Sequence, residues 1–98
     1  MEEIEAKTIF KQIVYGLAHC HCRSVLHRDV KLDNILMDNE GSLKLCDFGV
    51  SRLITKGKVI QEQCGTPAYL APEIIADEGY EGFYVDIWSL GVLLYAML

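Results

Sequence analysis

The sequence has no run of lysine or arginine, no long uninterrupted apolar segment and no internal repeat. Nine Lys and Arg residues stand against fourteen Asp and Glu, which gives a formal net charge of −5 at pH 7. This balance argues against nucleic acid or an anionic membrane as the main partner, because binding to such surfaces depends on clustered cations. The longest apolar stretch, residues 87–98, contains Ser89 and Gly91 and falls short of the roughly 20 residues that span a bilayer.

We also expect no secretory leader, since Met1 is followed by Glu2, Glu3 and Glu5 rather than by a basic and then an apolar region. Four cysteines are present: Cys20, Cys22, Cys46 and Cys64. We therefore expect reduced thiols and a cytoplasmic or nuclear protein. The hydrophobic content of 51 % is ample for a folded core.

Two patterns in the first half of the chain predict regular structure. The apolar residues that recur at spacings of three and four are Ile9, Phe10, Ile13, Val14 and Leu17. They predict an amphipathic helix from Glu2 to about Cys22, with acidic residues in its first turn. Residues 35–37 and 43–46 read as two short strands, and the turn-forming residues 38–42 between them predict a β-hairpin.

The second half of the chain predicts two loops and two helices. Residues 50–64 have no steady period and favour an irregular or mobile loop, and residues 77–82 favour another. A short helix is expected to begin at residues 71–73, where Pro72 is near its start. From Asp86 onward a helix is apolar on every side and needs protein around all of it. Because the chain stops at Leu98, we expect a mainly helical α+β piece of a larger domain.

The octet His27-Arg28-Asp29-Val30-Lys31-Leu32-Asp33-Asn34 concentrates charged and donor groups between the first helix and the hairpin. Asp29 can accept the proton of a hydroxyl, and Lys31 can neutralise negative charge on the group being transferred. Asn34, five positions after Asp29, offers an amide oxygen to a hard cation such as Mg²⁺. These side chains point to phosphoryl transfer, which needs positioned charge more than a covalent nucleophile.

Three motifs together resemble a eukaryotic protein kinase. They are the His27-Arg28-Asp29…Asn34 octet, Asp47-Phe48-Gly49 and Ala71-Pro72-Glu73. Lys31 and residues 65–69 resemble the serine/threonine kinases, in the style of the calcium/calmodulin-dependent and phosphorylase-kinase-like group. The resemblance covers residues 1–98 and implies part of the C-terminal lobe, with the hairpin carrying the catalytic loop and the metal-binding motif.

The resemblance implies ATP and Mg²⁺ as cofactors and a protein Ser/Thr hydroxyl as substrate. Asp29 would be the catalytic base and Lys31 would steady the γ-phosphate. Asn34 and Asp47 would hold the two Mg²⁺ ions, and Thr66 would hydrogen-bond Asp29 and Lys31.

Structural and regulatory roles follow from the same resemblance. His27 and Phe48 would stack in a hydrophobic spine anchored by Asp86, and Glu73 would pair with an arginine beyond Leu98. Arg28 would hold the activation segment.

Parts of the kinase pattern that clamp the nucleotide are not found in residues 1–98. These are the Gly-rich loop, the strand lysine of the Val-Ala-Ile-Lys type and its helical glutamate partner, all of the N-terminal lobe. We expect the 98-residue chain alone to lack appreciable kinase activity. A catalytically inert fragment that binds the substrates or regulators of the kinase is the alternative function, and the residues do not separate the two.

Glu62 stands two residues before Cys64, where many kinases carry the activating phosphothreonine. Its carboxylate could pair with Arg28 as a phosphate would, which suggests activity without phosphorylation of this loop. The alternative is an ordinary solvated surface residue. Asp33 could attract a basic residue of the substrate, or it could cap its own loop backbone.

The run His19-Cys20-His21-Cys22 could suggest zinc, but neighbouring residues of a helix point in divergent directions. We expect instead a helix end with packed cysteines and solvated histidines. Cys46, directly before Asp47, is either a thiol open to the nucleotide pocket or a buried strand residue.

The uniformly apolar helix leads to a prediction for the 98-residue chain studied alone. With too little protein to cover that helix, the chain should unfold over a broad temperature range and self-associate. Differential scanning calorimetry with light scattering measures both properties. A sharp, cooperative transition of a monomer would contradict this expectation.

Overall fold

A computed structural model describes residues 2–98 of the chain, and its regular elements are mainly helical. In chain order they are α1 (Glu3–Cys22), β1 (Val25–Leu26), β2 (Ile35–Met37), β3 (Leu43–Leu45), β4 (Arg52–Leu53), α2 (Pro72–Ile75) and α3 (Tyr84–Met97). Single 3₁₀ turns cover Leu32–Asn34 and Pro67–Tyr69. The strands form two antiparallel pairs, β1 with β4 and β2 with β3, so the described residues are α+β.

Helix α1 has the predicted bounds to within one residue, because its apolar stripe meets one face of α3. Glu3 and Glu5 lie in its first turn, where they complement the positive end of the helix dipole. The buried cluster between the two helices consists of Ala6, Ile13, Leu17, Val30, Leu90, Leu93 and Met97. Val30 belongs to the charged octet, so the core holds that loop directly.

The predicted hairpin of β2 and β3 is confirmed, with Ile35 opposite Leu45 and Met37 opposite Leu43. Its turn is closed by Asp38, whose Oδ1 accepts the main-chain N–H groups of both residues 40 and 42 at 2.9 Å. The side chain of Gln12 in α1 accepts the N–H of Leu43 at 3.1 Å. The hairpin is thereby tied to the helix, and its register is fixed.

The prediction of an irregular loop over residues 50–64 is wrong in two places. Residues 52–53 form β4 against β1, and Ile60 pairs with Tyr80 in an isolated antiparallel bridge. A second buried cluster lies beneath these pairings and consists of Leu26, Ile60, Ala71, Ile74, Tyr80 and Val85. Strands of one or two residues carry no alternating pattern, and their partners lie far away in sequence, so local reasoning missed them.

Helix α3 begins at Tyr84, two residues before the predicted start, and is not covered on every side. Val85, Leu90 and Leu93 are buried, whereas Ile87 is 53 % and Tyr95 is 85 % exposed. Residues 2–98 therefore cover one face of a helix whose whole circumference is apolar. No helix among them combines the length and apolarity needed to cross a membrane.

The carboxylate of Asp86, in the first turn of α3, lies at the centre of the fold with no exposed surface. Its Oδ2 accepts the main-chain N–H of His27 at 2.9 Å, and its Oδ1 accepts that of Arg28 at 2.9 Å. His21 of α1 contributes a third contact, from Nε2 to Oδ2 at 2.8 Å. Arg28 has a left-handed φ of 72°, so these bonds hold a strained turn of the octet.

Asp86→Ala should destabilise the full-length protein by about 3–5 kcal/mol, because two buried N–H groups lose their charged acceptor. Asp86→Asn keeps one acceptor oxygen and should be affected less. Asp33→Ala is the control, since residue 33 is exposed. Urea unfolding measures the three free energies. A loss smaller than about 1 kcal/mol for Asp86→Ala, the level of one ordinary hydrogen bond, would contradict the assigned role.

Candidate functional site

The main chain of the octet is shaped by hydrogen bonds to the His27 ring. The N–H of Asp29 donates to Nδ1 of His27 at 3.1 Å, and Nε2 of the same ring lies 3.0 Å from the carbonyl oxygen of Cys46. Because Nδ1 accepts a hydrogen bond, the ring is neutral and carries its proton on Nε2. The imidazole thus connects the residue before the Asp47 motif to the backbone of Asp29.

The Asp29 carboxylate is oriented by two donors. Oγ1 of Thr66 donates to Oδ1 at 2.8 Å, as predicted, while Nδ2 of Asn34 lies 3.4 Å from Oδ2. The same Nδ2 donates to the main-chain oxygen of Asp29 at 2.7 Å. The second predicted Thr66 bond, to Lys31, is not formed among residues 2–98; Lys31 is half-buried beside the 3₁₀ turn.

The hairpin places the chain before Asp47 beside Asn34. Cys46 continues the β2–β3 ladder by donating its N–H to the carbonyl oxygen of Asn34 at 2.8 Å, so Asp47 follows directly. Asp47 has a φ of 58° and is exposed, and its Oδ1 accepts the N–H of Gly49 at 3.2 Å. The residues Asn34 and Asp47 therefore lie on adjacent chain segments at the open end of the hairpin.

This pair of side chains suits a hard cation. The amide nitrogen of Asn34 is used by Asp29, which leaves the amide oxygen as the available ligand. Mg²⁺ is commonly bound by one or two protein oxygen ligands together with waters and phosphate oxygens. A site of two protein ligands is therefore chemically sufficient for nucleotide-bound Mg²⁺.

The predicted stacking of His27 and Phe48 is instead an edge-to-face contact. The ring centroids lie 4.7 Å apart and the planes meet at 65°. This arrangement brings the positive edge of one ring to the negative face of the other, which is favoured over a parallel sandwich. Phe48 is 41 % exposed, so its other side is open in the described part of the chain.

Arg28 and Glu62 form the predicted ion pair, at 3.4 Å between Nη1 and Oε1. Arg52, which sequence reasoning did not single out, approaches the same oxygen more closely, at 2.9 Å. The Arg28 side chain is buried and also donates from Nε to the carbonyl oxygen of Val50 at 2.6 Å. One carboxylate thus bridges the octet and strand β4.

The remaining predicted residues lie at the edges of this arrangement. Asp33 is exposed and caps no backbone group among residues 2–98, so the capping alternative is not observed. Glu73 is half-buried in α2 and forms no ion pair within the same range. The thiol of Cys46 donates to the carbonyl oxygen of Asn34 at 3.2 Å. The residue is half-buried, so it is neither fully open nor fully buried, the two alternatives predicted for it.

The prediction of solvated histidines at the end of α1 is wrong for His21. Besides its contact with Asp86, the ring stacks on Phe83 with centroids 4.2 Å apart. His19 is exposed and lies 3.1 Å from Nη1 of Arg23. Burial and the negative charge of Asp86 raise the pKa of Cys20. No local signal reveals His21, since its partner is 65 residues away.

Comparison with known proteins identifies one family over the whole chain. The protein kinase domain matches residues 1–98. The sequence is 48 % identical over 99 residues to CBL-interacting serine/threonine-protein kinase 24 of Arabidopsis thaliana and 49 % identical over 98 residues to NUAK family SNF1-like kinase 2 of Rattus norvegicus. It is also 47 % identical over 98 residues to the probable serine/threonine-protein kinase MARK-B of Dictyostelium discoideum.

Each of these alignments covers all of this chain, but the chain spans only 22 %, 16 % and 14 % of the three relatives, in the order given. The match includes the octet, the Asp47 motif and residues 71–73. The chain therefore belongs to the eukaryotic serine/threonine protein kinase family.

Proposed function

We propose that residues 1–98 supply the central part of a kinase C-terminal lobe that transfers a phosphoryl group from ATP to a Ser or Thr hydroxyl. The observation that carries this proposal is the carboxylate of Asp29, held by Thr66 at 2.8 Å and by Asn34 at 3.4 Å. Two donors on one carboxylate fix its direction. Such a group suits the acceptance of a proton from an attacking hydroxyl.

Asp29 acts in this scheme as the general base. Thr66 and Asn34 are positioning residues that keep its carboxylate from rotating, and His27 holds its main-chain N–H at 3.1 Å. The loop backbone is in turn fixed by Asp86. The catalytic carboxylate is thus preorganised before substrate arrives, which lowers the entropy lost on reaching the transition state.

Asn34 and Asp47 would hold Mg²⁺ through their oxygen atoms, and Lys31 would lie beside the transferred group. ATP bound with Mg²⁺ supplies the phosphoryl group and neutralises the charge that develops on it. The remaining contacts to the nucleotide, those of the N-terminal lobe, come from residues outside 1–98. Exposed Asp33 would favour a protein substrate with a basic residue near the hydroxyl.

Asp29→Asn should lower kcat for a serine peptide containing arginine by about 10²–10⁴-fold, because the amide cannot accept the hydroxyl proton. The matched control is Asp77→Asn, the same chemical change at an exposed position whose φ of 57° asparagine tolerates. Phosphate transfer from labelled ATP by the full-length protein measures the effect. The 98-residue chain alone should transfer none.

Equal activity of Asp29→Asn and Asp77→Asn would contradict the role of Asp29. If the full-length protein with its natural sequence transferred no phosphate to Ser, Thr or Tyr peptides, the kinase proposal would fail. The inert binding module would then be the better interpretation.

We also propose that the activation segment is held without phosphorylation, by Glu62. Its carboxylate contacts Arg28 and Arg52, the kind of basic pair that otherwise receives a phosphate. A glutamate carries less charge than a phosphate of about −1.5 to −2, so the stabilisation is smaller but permanent. The full-length enzyme would then need no activating kinase.

Glu62→Gln should lower kcat/KM by about 2- to 5-fold, the effect expected from loss of a largely exposed ion pair. Glu40→Gln, an equal change in the β2–β3 turn, is the control. Kinetics are measured before and after treatment with phosphatase, which should not change the activity of the natural sequence. Unaltered kinetics for Glu62→Gln would refute the proposal for regulation.

A further inference from the structure

Residues 60–63, called here the docked segment, are held on the second core cluster by neutral hydrogen bonds. Ile60 and Tyr80 exchange main-chain bonds, with N···O distances of 2.6 and 3.0 Å. The hydroxyl of Tyr80 donates to the carbonyl oxygen of Glu62 at 2.7 Å. Nε2 of Gln63 donates to the carbonyl oxygen of Ile74 at 2.7 Å. The segment is therefore fixed on both sides of Glu62.

Tyr80 is a buried residue of this arrangement that carries a polar hydroxyl group. It is 6 % exposed and packs in the cluster that contains Ile60 and Ile74. A buried phenol needs a hydrogen-bond partner, and the carbonyl of Glu62 provides it. Burial raises the pKa of Tyr80 against the lowering effect of its hydrogen bond with Arg28, so the hydroxyl keeps the proton that it donates.

Residues 59–61 lie close to the chain next to Tyr80, where the residue is a glycine. Gly79 has a φ of +82°, and a Cβ placed there would lie 2.5 Å from Cγ1 of Val59 and 2.9 Å from Nε2 of Gln61. Any larger residue would force the Val59 and Gln61 side chains to move and would strain the backbone at this positive φ. The loop of residues 77–82, predicted from sequence as a plain connection, is therefore shaped to receive the docked segment.

The ion pair of Glu62 is too exposed to order this segment alone. Its side chain is 61 % exposed and that of Arg52 is 46 % exposed, so water weakens the attraction between them. The Tyr80 bond is shielded by the core and acts on the main chain of the same residue. A carboxylate whose backbone is fixed loses less conformational freedom when it pairs with arginine.

We propose that Tyr80 is a positioning residue of the kinase, whose hydroxyl fixes the main chain at Glu62 so that the carboxylate reaches Arg28 and Arg52. This inference rests on the proposed function, because its consequence is an activation segment that stays ordered without phosphate. Tyr80 acts through Glu62 and does not touch the reacting atoms. Its effect should therefore depend on the residue at position 62.

The first test is a double-mutant cycle in the full-length protein. Tyr80→Phe should lower kcat/KM by roughly 2- to 5-fold, no more than loss of the Glu62 charge itself, because Tyr80 acts through that carboxylate. Combined with Glu62→Gln, it should cause less loss than the product of the two single effects. Tyr84→Phe, the same change at a tyrosine that is 75 % exposed, should leave kinetics unchanged.

Two kinetic results would overturn the inference. One is a kcat/KM of Tyr80→Phe equal to that of the natural sequence. The other is a double variant whose loss of kcat/KM equals the product of the two single losses. Absence of activity in the natural sequence would count against the proposed function and not against Tyr80. The second test decides the role of Tyr80 in that case as well, because it needs no activity.

Hydrogen–deuterium exchange measures the order of the docked segment directly. Tyr80→Phe should accelerate amide exchange within residues 60–64 while exchange in α1 stays unchanged, and Tyr84→Phe should alter neither. Unchanged exchange in residues 60–64 would refute the inference. Equal acceleration in α1 would refute it too, since Tyr80 would then support global stability rather than the position of Glu62.

Discussion

The buried carboxylate of Asp86 is the interaction on which the rest of the structure depends. Removing a carboxylate from water is costly unless several donors replace the lost hydration. Here the N–H groups of His27 and Arg28 and the ring of His21 do so, each within 2.9 Å. The same bonds offset the left-handed backbone at Arg28, a conformation that costs about 1–3 kcal/mol in a residue other than glycine. Helices α1 and α3 and the octet thus meet at one buried carboxylate.

Beyond that anchor and the buried Val30, short polar contacts connect the octet to the hairpin. The ring of His27 joins the carbonyl of Cys46 to the N–H of Asp29, and Asn34 joins Asp29 to the hairpin. A slip of one residue in the hairpin would turn each side chain to the opposite face. The register of β2 and β3 therefore fixes the positions of Asn34 and Asp47 relative to each other, and Gln12 secures that register from α1.

Sequence reasoning succeeded where the determining contacts are local or periodic. The apolar spacing of α1 and the turn residues between β2 and β3 gave both elements, and the motif resemblance gave the Thr66 bond to Asp29. It failed where a contact joins distant short segments. Strand β4, the Ile60–Tyr80 bridge and the partner of His21 have no periodic signal, because each involves one or two residues. Fold class and motifs are thus readable from this sequence, but the contacts that order residues 50–64 are not.

Arg28 connects the activation segment to the chain next to Asp29. Its main chain is fixed by Asp86, while its guanidinium meets Val50 through Nε and both Glu62 and Tyr80 through Nη1. A lysine, with one ammonium group, could not present donors in the two directions that these acceptors occupy. The Glu62 contact is exposed and weak, whereas the bonds to Val50 and Tyr80 involve neutral acceptors near the core. In the proposed arrangement the Val50 bond, at 2.6 Å, keeps the Arg28 guanidinium in place, and Glu62, positioned by Tyr80, adds the charge that holds residues 60–63 against it.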